Sequence, residues 1–274
     1  MTLHRPESLE DALALSGGGA ALLAGGTDLY PGLRDGAPPP ELIDLTRIAS
    51  MKGITRSDSG WRIGGATTWT AIVKADLPPM FDGLKAAARE VGSVQIQNAG
   101  TLAGNLCNAS PAADGVPALL ALDASVELAS AGGTRVLPLE GFILGPRRTA
   151  LEPGEILSAI HIPDAPGQGA FLKLGARKYL VISIAMVAAT VTTRAGRIET
   201  ARIAVGACSP VARRLSALET QLVGATQDEV FARTGAYAFD ELSPIDDVRA
   251  SAGYRLDAVT ALVARTVANA METL

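Results

Sequence analysis

Two stretches of this sequence carry residue types suited to holding an anionic ligand. The first, Ala24-Gly25-Gly26-Thr27, follows an apolar run and leads into a helical pattern at Asp28. Consecutive amides with no side chains in front of them form a concavity that can hydrogen-bond phosphate oxygens. A glycine pair that merely ends a strand has the same appearance, so the motif alone leaves both roles open. The tetrapeptide recurs at residues 131–134 between two alternating segments, Val126-Glu127-Leu128-Ala129 and Arg135-Val136-Leu137, where a β-hairpin turn accounts for it.

The second stretch is Gly100-Thr101-Leu102-Ala103-Gly104-Asn105-Leu106-Cys107-Asn108-Ala109-Ser110-Pro111-Ala112-Ala113-Asp114. Its small residues let a backbone approach a ligand closely, and Thr101, Asn105, Asn108 and Ser110 can hydrogen-bond polar edges or phosphate oxygens. Asp114 offers a carboxylate to ribose hydroxyls. The alternative is an Asn-rich turn with Asp114 capping the helix that follows. Two separate cradles in one chain suit a dinucleotide.

Other chemistries are excluded by inspection. No G-x-G-x-x-G follows a strand pattern, and neither G-x-x-x-x-G-K-[ST] nor H-E-x-x-H occurs. The two histidines, His4 and His161, and two distant cysteines, Cys107 and Cys208, are too few for a zinc or iron–sulfur site. His161 lies in the alternating run 156–163 and is expected to face solvent. With 28 acidic against 24 basic side chains the net charge is −4, which excludes a basic nucleic-acid clamp. The unpaired cysteines, the charged N-terminus without an apolar signal core, and an apolar run 179–193 shorter than the ~20 residues of a membrane span together predict a cytoplasmic protein with no membrane span.

The elements that must position the two stretches alternate along the chain. Ser8 is expected to cap a short helix, with Asp11 three residues on, and Gly17-Gly18-Gly19 to stop it. A strand at 20–24, a helix at 28–34 and a strand at 41–45 make a βαβ unit. A strand follows at 61–66, a helix at 69–74 capped by Thr68, and an Ala-rich helix at 79–91. Residues 92–113 carry no charge yet are rich in Gly, Asn, Gln, Ser and Thr, a composition expected of a segment wrapped around something. Beyond a helix at 116–122, strands are predicted at 125–130, 134–138, 155–163 and 170–174. Two β-rich runs, 181–193 and 198–206, flank the hairpin signal Arg194-Ala195-Gly196-Arg197, and helices at 211–222, 227–234 and 254–271 complete the chain. Strands followed by helices indicate an α+β domain, and a length of 274 residues indicates two domains, divided near Gly175.

Leu23-Ala24-Gly25-Gly26-Thr27-Asp28-Leu29, the run from Gln97 to Asp114, and Lys173-Leu174-Gly175-Ala176-Arg177-Lys178 resemble the FAD-binding medium subunit of molybdenum hydroxylases, the family of xanthine dehydrogenase and carbon monoxide dehydrogenase. The resemblance spans nearly the whole chain. It implies an α+β fold with a vanillyl-alcohol-oxidase-type (PCMH-type) FAD-binding domain over 1–175, made of two α/β subdomains at about 1–55 and 56–175. A C-terminal flavoprotein domain over 176–274 would add a three-stranded antiparallel sheet with helices.

Carried over by residue, Leu22, Leu23, Ala24, Gly25, Gly26, Thr27 and Asp28 would form one FAD-binding segment, with Gly25 bare so that the diphosphate can approach. Gly100, Thr101, Gly104 and Asn105 would form the other. Asn108 and Asp114 would lie near the phosphate and ribose of the adenosine half, and Leu157 and Lys173 beside the flavin ring, where Lys173 would favour negative charge on the reduced ring. Ala103 stands where the family usually has glycine and fits only with a negative φ. Asp28 would repel a diphosphate, so its side chain is expected to cap the helix or face the flavin edge.

The implied role is electron transfer, with no catalytic side chain and no metal on this chain. A molybdenum–pterin large subunit and a small subunit with [2Fe–2S] clusters would be partners in a dimer of heterotrimers, and NAD⁺, oxygen or a quinone the acceptor. A self-contained flavin-dependent oxidase and a flavin-free scaffold are the alternatives.

Overall fold

A computed structural model of the chain describes residues 1–33 and 36–272. The first subdomain is a small parallel sheet of β1 (Thr2–His4), β2 (Ala21–Leu23) and β3 (Glu41–Asp44) in the order β1-β3-β2, with α1 (Leu9–Ser16) and α2 (Leu29–Leu33) in the connections. Ser8 caps α1 by accepting the Asp11 amide at 3.1 Å, and Gly19 turns the chain at φ +81°, as the local sequence implies. The first strand is not foreseen, because three residues show no alternation and only pairing with β3 defines it. The helix predicted at 28–34 is confined to Leu29–Leu33, and Arg34 lies outside the described residues.

The second subdomain begins with the hairpin β4 (Ile54–Ser57) and β5 (Gly60–Gly64), followed by α3 (Trp69–Lys74) and α4 (Asp82–Glu90). The charge-free stretch is helical for most of its length, forming α5 (Val94–Ala99) and α6 (Leu102–Asn108), which the composition did not indicate. Ser93 and Thr101 cap these two helices and replace the charges that usually mark helix starts. Then come α7 (Gly115–Leu120), β6 (Ser125–Ser130), β7 (Gly133–Pro138), α8 (Leu139–Phe142), β8 (Ile143–Gly145), β9 (Arg148–Thr149) and β10 (Ile156–Ile162). The strands form a five-stranded antiparallel sheet in the order β4-β5-β10-β6-β7, with β8 and β9 a separate ribbon. Trp69, Phe81, Leu84 and Phe142 are fully buried between the helices and this sheet. His161 points outward from β10 and meets Glu127 Oε2 at 2.8 Å.

The C-terminal domain is an antiparallel sheet, β11 (Gln168–Leu174), β12 (Ala185–Arg194), β13 (Arg197–Gly206) and the short β14 (Arg213–Arg214), with α9 (Ser216–Leu222), α10 (Gln227–Gly235) and α11 (Ala252–Met271). Ala195 and Gly196 turn the β12–β13 hairpin at φ +51° and +74°, the two left-handed residues of a type I′ turn. The continuous apolar run in β12 has a clear cause. Met186 and Ala188 pack toward the second subdomain while Val187, Ala189 and Val191 pack toward α11, so both faces of the strand are buried.

Strand β11 corrects the domain division. The sequence pattern puts the run 170–174 in the first domain, with the division near Gly175, but Gln168↔Val191 through Leu174↔Ala185 pairing makes this run the outer strand of the C-terminal sheet. The division therefore lies ahead of Gln168. Gly169 and Gly83 make this junction close: a Cβ on Gly169 would lie 2.4 Å from the Met80 carbonyl oxygen, and one on Gly83 2.9 Å from that of Ala170. No helix among the described residues is long and apolar enough to cross a membrane.

Arg255 anchors α11 from inside the C-terminal domain. Its guanidinium is 3% exposed and donates to Ala207 O at 3.1 Å and to Asp247 Oδ1 at 2.7 Å. Asp247 also accepts the Arg249 amide at 2.8 Å, and these donors, that amide foremost, hold its carboxyl down at about 2. A depressed folded-state pKa stabilises above the ordinary aspartate value of ~3.9, and that contribution is lost as pH falls toward about 2. Asp247→Asn is expected to lower the urea midpoint at neutral pH by leaving Arg255 without its counter-ion, and to flatten the acid limb of the midpoint-against-pH curve. Urea denaturation across the acid range measures both.

Candidate functional site

A cleft of about 860 Å³ lies between the first subdomain and helices α5 and α6, within the range of small-molecule sites. One wall is the turn after β2, residues 22–29. Opposite stand Gly100, Thr101, Gly104, Asn105 and Asn108, and the floor is apolar, with Met51, Trp69, Ile156 and Leu157. Thirteen of the fifteen residues singled out from the sequence thus line one cleft; Asp114 and Lys173 do not.

Glycines bring the two segments into contact. A Cβ on Gly25 would lie 1.9 Å from the Ala99 carbonyl oxygen, so the packing of the second segment requires a bare residue here. Gly26 turns at φ +68° with Tyr30 behind it. The second segment hangs from the turn after β5 by backbone hydrogen bonds: Trp69 N to Gly100 O at 3.1 Å, Leu102 N to Thr67 O at 3.0 Å and Ala103 N to Gly65 O at 3.2 Å. Thr101 Oγ1 accepts the Gly104 amide at 3.1 Å. The first amides of α6 are therefore engaged within the protein. Ala103 sits inside α6 and is 7% exposed, so its methyl is accommodated as the negative-φ condition requires.

What remains for a ligand is specific. The amides of Gly25, Gly26, Thr27 and Asp28 donate to no acceptor among the described residues. Asn105 Oδ1 is buried without a hydrogen-bond partner, an arrangement that a ligand donor would relieve. Among the described residues, the charged ones of the cleft wall are Asp28 and Arg147. Asp28 makes no side-chain hydrogen bond among the described residues, so the cap expected of it is not formed, and its carboxylate stands in the cleft wall. Arg147 was not foreseen, since nothing near it in the sequence marks it as part of the site. Cys107 is exposed into the cleft.

Amides free for phosphate oxygens, an orphan amide oxygen and an apolar floor fit a flavin dinucleotide. Residues 1–165 match the family described as the FAD binding domain in molybdopterin dehydrogenase, and residues 170–270 match the CO dehydrogenase flavoprotein C-terminal domain. This chain is a member of that FAD-binding family. The xanthine dehydrogenase FAD-binding subunit of Escherichia coli O157:H7 is 31% identical over 277 aligned positions, covering 98% of this chain and 95% of the relative. The carbon monoxide dehydrogenase medium chain of Afipia carboxidovorans is 32% identical, covering 97% and 95%. In structure the chain matches Cu,Mo-CO dehydrogenase with a TM-score of 0.90 at 30% identity, covering 99% of this chain and 97% of the other. Quinoline 2-oxidoreductase from Pseudomonas putida 86 gives 0.89 at 26% identity, with coverage of 99% and 96%. The chain is thus an oxidoreductase subunit of the molybdenum hydroxylase family with FAD as its cofactor.

In this FAD-binding subunit, Asp114 and Lys173 stand apart from the cleft and bind each other. Lys173 Nζ meets Asp114 Oδ2 at 2.7 Å, with side-chain exposures of 7% and 9%, and also donates to Glu90 O at 3.3 Å. Ser183 Oγ donates to Asp114 Oδ1 at 2.6 Å. Asp114 makes no side-chain cap hydrogen bond to α7, contrary to the capping alternative. Burial pushes its carboxyl up, against the pull of Lys173 and Ser183. The pair ties β11 and the residues just ahead of β12 to the second subdomain, with the Lys173 charge matched by Asp114.

Removing one partner of such a pair strands a buried charge. Lys173→Met is expected to cost about 3 kcal/mol, and the double variant Asp114→Asn with Lys173→Met to recover most of it, as urea denaturation will show. Asn105→Ala, by contrast, removes an oxygen with no protein partner. Its stability is expected to stay within about 0.5 kcal/mol of the parent while FAD affinity falls roughly tenfold, read by flavin fluorescence on the apoprotein.

Proposed function

We propose that this subunit is the electron relay of a molybdenum-dependent dehydrogenase complex. In this reading a large subunit with the molybdenum–pterin cofactor oxidises substrate, a small subunit with [2Fe–2S] clusters carries electrons onward, and this chain delivers them to NAD⁺ or another acceptor. The complex would be a cytoplasmic dimer of heterotrimers. The observation that carries the reading is end-to-end likeness to proteins named as medium chains and FAD-binding subunits, combined with a cleft wall whose described residues offer no paired acid and base. Two relatives are named for a 6-hydroxypseudooxynicotine dehydrogenase complex and a nicotine 6-hydroxylase, which supports work within an assembly that acts on heterocycles.

FAD, when bound, supplies exchange between one-electron and two-electron carriers. The protein's part is to hold and orient. The amides of residues 25–28 and Asn105 fix the polar half of the ligand, while Trp69, Ile156 and Leu157 exclude water from the apolar floor. Asp28 and Arg147 are the ionisable groups of known sign in the wall, and neither has a proton-transfer partner beside it to abstract a proton from a substrate.

The test is co-expression with the genomic neighbours, followed by purification. The expected result is a complex that releases FAD on denaturation and whose flavin bleaches when an oxidisable substrate is added. The isolated, FAD-loaded chain is expected not to hydroxylate purines, aromatic acids or other heterocycles. Released FMN, a flavin that stays oxidised while the iron–sulfur centres are reduced, or turnover by the chain alone would overturn the relay; the last would favour a self-contained flavin oxidase.

A further inference from the structure

Arg147 occupies the turn between β8 and β9 and contributes to the cleft wall. Its backbone lies at φ +58°, in the left-handed region. For a residue with a side chain this conformation costs about 1 kcal/mol, which glycine would not incur. The residue is also tied down. Its amide donates to Ala109 O at 2.9 Å, and Nη1 donates to Asn108 O at 3.2 Å and to Asn108 Oδ1, at the end of α6. Nε and Nη2 make no hydrogen bond among the described residues, so part of the guanidinium fork is left over. Among the described residues Arg147 is the one cation in the cleft wall. Its neighbour Arg148 is outside that wall and donates to Leu144 O at 3.3 Å.

We propose that Arg147 is a phosphate-contacting residue of the cleft, with its spare guanidinium donors directed to phosphate oxygens of a bound dinucleotide. The proposal rests on the reading of the cleft as the FAD site. Two sources supply the same chemistry: the diphosphate of FAD itself, or a phosphate of a nicotinamide dinucleotide acceptor reaching the exposed guanidinium. Asn108 then serves as a positioning residue that orients the guanidinium.

The test uses Arg147→Gly, which suits the left-handed backbone, with Arg147→Lys as the conservative variant and Arg148→Gln as a charge-matched control from the same turn. Apoprotein is titrated with FAD, ADP and riboflavin, and KM for NAD⁺ is measured in the assembled complex. For Arg147→Gly, FAD and ADP affinity is expected to fall about tenfold or more and riboflavin affinity to hold, without a fall in melting temperature. Arg147→Lys should retain part of the affinity and Arg148→Gln all of it. Unchanged FAD and ADP affinity with a raised KM for NAD⁺ would support the proposal and assign the phosphate to the acceptor.

Unchanged values for all three nucleotides, or an equal loss of riboflavin affinity, would overturn the proposal, because riboflavin carries no phosphate. If Arg147→Gly does not fold, the comparison of Arg147→Lys with the parent decides by the same ratios. A parent chain that binds riboflavin and ADP no better than a control protein would overturn the FAD reading itself, and this proposal with it.

Discussion

The backbone of Gly25 lies against the Ala99 carbonyl so closely that no side chain fits between them, and the cleft is built around that contact. It joins a turn of the small parallel sheet to the end of a helix in the second subdomain. Because this contact is backbone against backbone, each segment sets the other's position. Hydrogen bonds from the 65–69 turn then suspend α6 beside the contact. The result is a wall in which one segment offers free amides and the other, with its own first amides engaged, offers the side chain of Asn105. A ligand is thus met by groups already oriented, which lowers the ordering cost of binding.

The C-terminal domain is set in place by different forces. Glycines at positions 83 and 169 allow strand β11 to lie directly on α4, and ion pairs fix the seam at specific points. Asp114 gathers Lys173 and Ser183. Asp123 receives Arg202 at 3.0 Å and Arg214 at 2.6 Å from the β13 and β14 edge. The buried Asp114–Lys173 pair contributes little net stability compared with apolar packing, but breaking it is expensive, so it favours one docking geometry over others. The apolar layer between β12 and α7 supplies the adhesion and the ion pairs supply the register.

Low charge in the cleft is consistent with a protein that holds a reactive group and leaves the chemistry to it. Backbone amides carry partial charges that cannot be titrated or displaced, so a site made from them is insensitive to pH. Among the described residues one arginine and one aspartate stand at the wall, above an apolar floor.

What the sequence determined by itself is what neighbouring residues decide among themselves. Ser8, Thr68 and Thr226 cap their helices because a side-chain oxygen and an amide a few residues on are always within reach. The Arg194–Arg197 and Ala131–Thr134 turns, the long apolar pattern of α11 and the Gly25-Gly26-Thr27 motif are legible for the same local reason, and the family pattern extended that reading to the second segment of the cleft. Tertiary structure alone decided the rest. Strands β1 and β4 are too short or too polar to show a period and exist through their partners. Helices α5 and α6 take their stability from the 65–69 turn and the core beneath. Strand β11 belongs with the C-terminal sheet because its hydrogen bonds go there. Asp114 and Lys173, read as ligands of the cofactor, neutralise each other across the domain seam, and Arg147 reaches the cleft from a turn with no motif to announce it. In each case the deciding partner lies outside the segment itself, and only folding brings the two charges, or the two backbones, within reach.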